Sequence, residues 1–308
     1  TQQTYNRRMA ELFLYKNCFL GYPLGMPKFP KIALTAAIVG LSAPSAVAAQ
    51  HAPIATESTA PSPAYADYAD LVVAAPVIVD ATVRSTVRLK PTDSAGLPPS
   101  MARLYVEADV SALIRGTDAM PARLGYTLDV PLDAHGRAPQ YRKSRVLLFA
   151  RAVPDQVGQI QLIRPDAQRG WSAAGDALTR RIVRETLAPD APPTVTGIAN
   201  AFHTPGDLPG SGETQIFLST ADNRPISLTI ERKAGEAPRW SVALSEVVDA
   251  AAPPPPRDTL LWYRLACSLP ATLPDAVLHS SGDDATVARE DYALVITALG
   301  ACDRGGRS

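Results

Sequence analysis

From residue 65 onward, apolar positions come in short, mostly alternating runs separated by turn-forming residues. Between Ala69 and Leu89, Leu71-Val72-Val73-Ala74-Ala75 leads through Pro76 to Val77-Ile78-Val79, then to Val83, Ser85, Val87 and Leu89 at every second position. β-Branched residues suit the pleated surface of a strand, and proline is tolerated at a strand edge or bulge. The pattern predicts two strands here, or one long bent strand. From Ala102 to Ile114, Leu104, Val106, Ala108 and Val110 share one face while Arg103, Tyr105, Glu107 and Asp109 share the other, as in a half-buried strand. Arg123 to Val130 and Ser144 to Ala150 read as two more, on either side of the turn composition Asp133-Ala134-His135-Gly136-Arg137, and Gln159 to Ile163 as a short last one. Short strands in series without a long helix between them favour a small barrel or sandwich over a parallel sheet.

The pattern then changes. Asp176 to Leu187 has an aspartate where a helix cap belongs and Leu178, Ile182 and Leu187 roughly on one side, with Pro189 as a stop. Ala188 to Pro193 is rich in proline and marks a boundary between a domain at 65–188 and another at 194–303. Beyond it, Ile216 and Leu218, then Ile226, Leu228 and Ile230, then Trp240, Val242 and Leu244 are three sets at period two with short turn-rich links, an antiparallel meander. Its apolar face needs a cover. Two helices supply one: Asp258 to Ala266, capped by Asp258, and Asp284 to Leu299, with Ala288, Tyr292, Val295, Ile296 and Leu299 at helical spacing and Gly300 as the terminator. The expected fold is mainly β, with an OB-like antiparallel barrel followed by a three-stranded meander covered by helices.

Ala69-Asp70-Leu71-Val72-Val73, Tyr105-Val106-Glu107-Ala108-Asp109-Val110 running into Leu113-Ile114-Arg115-Gly116, and Tyr141 followed by Val146-Leu147-Leu148-Phe149 together resemble bacterial modules similar to tissue inhibitors of metalloproteinases and netrin modules. The resemblance covers residues 65–163 and implies a five-stranded OB-type barrel. Those inhibitors chelate the target's zinc through an N-terminal cysteine, and no cysteine stands at the corresponding start near Ala49. Metalloprotease inhibition is therefore not implied.

Residues 26–48 carry the three parts of a secretory signal peptide: Lys28 and Lys31, the apolar run Ile32 to Leu41, and the small-x-small Ala46-Val47-Ala48. The apolar run is about half the ~20 residues that span a membrane, so cleavage is expected and no span should remain. Met26 is the better start, and residues 1–25, with Cys18, are set aside as a mis-started or non-native leader. Residues 49–64 mix Ala, Pro, Ser and Thr and read as a flexible tether. Cys267 and Cys302 are left as a pair in a compartment where disulfides persist. A bridge between them would close a loop of about 35 residues, worth roughly 4 kcal/mol on the chain-entropy estimate.

The 30 basic and 30 acidic residues balance, and no basic patch with interleaved aromatics marks a nucleic-acid footprint. Gly-rich phosphate loops and His-Glu-x-x-His motifs are absent, so neither a cofactor nor a metal is expected. Asp283-Asp284 reads as a helix cap and Glu290-Asp291 as a solvated helix face. Of His51, His135, His203 and His279, only His203 stands near a candidate nucleophile, Ser211 in Gly210-Ser211-Gly212, and the full G-x-S-x-G elbow is missing. Trp240 and Trp262 fall on core-facing positions, and Trp171 is the tryptophan expected to be exposed. The leading expectation is an exported, non-enzymatic module that binds an extracytoplasmic protein or polysaccharide. An envelope hydrolase using Ser211 and His203, or a structural or assembly role, are the alternatives.

Overall fold

The computed structural model describes residues 64–116, 120–245 and 251–304. The leader, the signal segment and nearly all of the tether lie outside them. A first helix, α1 (Tyr65–Ala74), precedes six strands: β1 (Val77–Arg88), β2 (Met101–Arg115), β3 (Arg123–Pro131), β4 (Arg145–Ala152), β5 (Ile160–Leu162) and β6 (Gln168–Gly170). Five of them pair antiparallel in the order β3-β2-β1-β4-β5, and β6 pairs with β4. The row nearly closes on itself. Gly125 of β3 and Gln159 form a parallel bridge, and the Gly125 N–H donates to the Gly158 carbonyl at 2.8 Å. The result is an OB-like barrel.

Closure depends on a missing side chain. A Cβ at position 125 would lie 2.2 Å from the Tyr105 hydroxyl and 2.8 Å from Gln159 Nε2. Those two groups meet over the glycine, Gln159 Nε2 donating to the Tyr105 oxygen at 2.9 Å. Inside the barrel, Val79, Ala81 and Val83 of β1 pack with Val106, Ala108, Leu124, Tyr126 and Leu148. Ile78, Leu147 and Phe149 point the other way, into a second core. β4 is thus buried on both faces, which is why Val146 to Ala150 reads as an unbroken apolar run.

One element departs from the expected strands. The run Leu71 to Ala74 is the end of α1, not a strand, because its buried residues Tyr65, Tyr68, Ala69 and Val72 recur at helical spacing. Pro76 forces the preceding Ala75 into extended backbone, and β1 begins only at Val77. Helix α2 (Ala173–Leu187) starts earlier than expected. Its cap is Ser172, whose hydroxyl accepts the Gly175 N–H at 3.0 Å, while Asp176 sits in the first turn and pairs with Arg180.

The second sheet has four strands, β7 (Val195–Pro205), β8 (Gly212–Thr220), β9 (Ile226–Arg232) and β10 (Arg239–Ala243), antiparallel in the order β10-β9-β8-β7. The expected meander is β8 to β10. β7 breaks the alternating signal because its register shifts between Val195 and Gly197 and again between Ile198 and Asn200. Helices α3 (Leu260–Ala266) and α4 (Gly282–Leu299) cover the inner face, where Ile216, Leu228, Ile230, Trp262, Tyr292 and Val295 share one core with α1, α2 and the outer face of β4. The 188–193 link therefore joins two stretches of chain that pack into a continuous core, and all described residues fall in one compact unit. The cap of α3 is Thr259, which accepts the Trp262 N–H, and not Asp258.

Cys267 and Cys302 form a disulfide at the ends of α3 and α4. The loop between the helices runs back along β7, where the His279 N–H donates to the Ala201 carbonyl at 2.8 Å and shields that sheet edge. Beyond Cys302, Arg304 reaches Asp70 of α1 at 2.8 Å, and Tyr263 donates to the same carboxylate at 2.7 Å. Burial alone would raise the Asp70 pKa. The hydrogen bonds from Arg304 and Tyr263 outweigh it and hold the carboxyl below its usual range. Among the described residues no helix is long and apolar enough to cross a membrane.

Candidate functional site

A cleft of 590 Å³ opens at one end of the barrel. It is built from Pro76 and Val77 at the start of β1, Gly116 after β2, Met120 and Pro121 before β3, and the β4–β5 turn with Val157, ending at Ile160. The turn is tight. Gln156 N–H donates to the Val153 carbonyl, and Val153 N–H and the Gln159 carbonyl close the base at 3.1 Å. Its tip carries Val157, which is 93% exposed. Arg151 and Asp155, both exposed, complete the lining. The Arg151 guanidinium is held by its cross-strand neighbour Gln161, whose Oε1 accepts from Nε at 3.1 Å and from Nη2 at 2.8 Å. Such a concave, mainly aliphatic surface with a few polar groups at its margin is the form of a ligand or partner site. None of its residues stood out in the sequence as a site, since valines, prolines and a methionine look like ordinary core until the fold leaves them open.

In the Ser211 and His203 of the sequence-based alternative, each side chain is hydrogen-bonded to a different neighbour. Ser211 closes the β7–β8 turn, its hydroxyl donating to the Leu208 carbonyl at 2.7 Å, and it stands opposite Gly206. His203 lies opposite Thr214, two registers along the hairpin from the Pro205–Gly212 pair. Ser211 lies in the turn just before β8, while His203 and Thr214 face each other within the paired strands. The histidine has other company. Thr214 donates its hydroxyl hydrogen to Asp291 Oδ2 at 2.5 Å, so its lone pair accepts from His203 Nδ1 at 2.9 Å. Asp291 Oδ1 in turn accepts from Arg232 Nε at 2.7 Å. The His203 ring lies over Gly212, where a Cβ would fall 2.7 Å from its Nε2.

This chain of groups corrects the expectation that Glu290-Asp291 is a solvated face. Glu290 is exposed, but Asp291 is completely buried and ties α4 to β8 and β9. Its place in the helix gave a signal, because it lies three residues after Ala288 and four before Val295, inside the apolar stripe. Trp171 is also not the open platform expected. Its ring is half-buried under the Arg145 guanidinium, 3.9 Å from the ring centre, and Arg145 is itself paired with Asp80. Among the described residues no group of three or more His, Cys, Asp or Glu side chains is arranged to hold a metal ion. Among the described residues of the cleft wall, no acid–base pair is in hydrogen-bond contact with a nucleophile.

No family model matches the chain, and no curated protein matches it in sequence.

Proposed function

We propose that this chain is an exported binding protein that holds another macromolecule of the cell envelope at the barrel-end cleft and catalyses no reaction there. The observation that carries this reading is the cleft itself, an aliphatic hollow of 590 Å³ with the exposed Val157 at its lip. Leaving such surface to water costs about 25 cal/mol per Å², and a bound partner recovers it. Export is supported by the signal-like segment at 26–48 and by the Cys267–Cys302 bridge, which suits an oxidising compartment. The hydrolase alternative is the weaker reading, since the Ser211 hydroxyl is bonded to Leu208 and His203 Nδ1 to Thr214.

Site-specific photocrosslinking in cells tests the reading. A photoreactive residue at position 157 should give a discrete adduct in the extracytoplasmic fraction, while the same residue at the exposed Leu187 of α2 should not. Equal adducts from both positions, or adducts only in the cytoplasmic fraction, would count against it.

A further inference from the structure

Resting on that binding reading, we infer that the cleft's occupant is a segment of another protein, aliphatic at its centre and flanked by one acidic and one basic residue. Three features of the lining select it. First, among the described residues no aromatic ring lines the cleft, and sugars or bases held in a groove usually rest on such rings. Second, the rim carries charges of both signs, Arg151 and Asp155, and neither forms an ion pair with another described residue. An anionic polymer or a fatty carboxylate would be drawn to Arg151 and repelled by Asp155. A polypeptide can answer both, with an acidic side chain for Arg151 and a basic one for Asp155. Third, the apolar surface does not stop at the hollow: Val157 carries it out onto the lip. An apolar centre inside a polar rim is the anatomy of a protein interface rather than of an enclosed lipid pocket. Gln161 adds preorganisation, since Arg151 is already oriented before any partner arrives.

The test uses the full chain and three probes in fluorescence anisotropy: a labelled heptapeptide with a leucine-valine centre and terminal glutamate and lysine, the same peptide with serines at the centre, and dodecanoate as competitor. The charged aliphatic peptide should bind saturably, the serine version at least about tenfold more weakly. Arg151→Glu and Asp155→Lys, both at exposed positions and expected to melt like the parent, should each weaken binding about fivefold. Met120→Asp should abolish it. Dodecanoate that binds in a Met120-dependent way while the peptide does not would overturn the protein segment and leave the cleft as a binding site. If no probe distinguishes the parent from Met120→Asp, the inference and the binding reading both fall.

Discussion

Thr214 donates its hydroxyl hydrogen to Asp291 across the junction of β8 and α4, and neither side chain touches solvent. The threonine has only one hydrogen to give, so this bond fixes how His203 and Arg232 arrange themselves around it. The same chain of four residues pins the last helix to the second sheet.

Removing the carboxylate leaves two donors, the Thr214 hydroxyl and Arg232 Nε, without their acceptor. Asp291→Ala should therefore cost about 3–5 kcal/mol in urea unfolding, the loss typical when one member of a buried charged network is deleted. Thr214→Val keeps the shape and removes only the hydroxyl, for which about 1–3 kcal/mol is expected. Values within about 0.5 kcal/mol of the parent for both would mean that water replaces the network.

Barrel closure makes a different prediction. Gly125→Ala drives a methyl group into the Tyr105 hydroxyl and the Gln159 amide, and should destabilise by about 1–3 kcal/mol or open the seam between β3 and β5. Tyr105→Phe removes the nearest clashing atom. The double variant should recover part of the loss, and a double-mutant cycle with no coupling would contradict the geometry.

Reduction of the Cys267–Cys302 bridge, which spans 35 residues, should lower the unfolding free energy by about 4 kcal/mol on the chain-entropy estimate. Amide exchange should rise first in α3 and at the end of α4, where Trp262 Nε1 donates to the Leu299 carbonyl. Unchanged protection in both helices after complete reduction would show that packing alone holds them.

Acid sensitivity follows from Asp70. Its folded pKa is depressed below the unfolded value near 3.8, so its contribution is complete above that value and is lost as pH falls through the folded pKa. Asp70→Asn should be less stable than the parent near neutral pH, and the gap should close as the solution is acidified below about pH 4. Urea titrations across that range check this. A gap that stays constant or widens would show that the Arg304 and Tyr263 contacts do not depend on the carboxylate charge.

Much of the barrel was legible because its strands obey period two: Leu104, Val106 and Ala108 face inward as their alternation requires. Helix α1 was not, since Leu71-Val72-Val73 carries strand-like residues whose helical spacing appears only when Tyr65 and Tyr68 are counted with them. The caps of α2 and α3 were misplaced for a shared reason. In each case a hydroxyl residue, Ser172 or Thr259, does the capping beside a more conspicuous aspartate. β7 escaped because two register shifts interrupt its alternation, and the cleft escaped because openness is a property of the folded barrel and not of any residue in it. The disulfide was the most transparent feature, given two cysteines at helix ends and a loop long enough to join them.

The most direct test of the account is methyl NMR of the full chain titrated with its extracytoplasmic fraction. Signals of Val77, Met120, Val157 and Ile160 should shift together, while the exposed methyl groups of Val87, Leu187 and Leu208 stay in place. Shifts at Leu187 or Leu208 with the cleft signals unmoved would contradict it, because the partner would then be meeting a different face of the molecule.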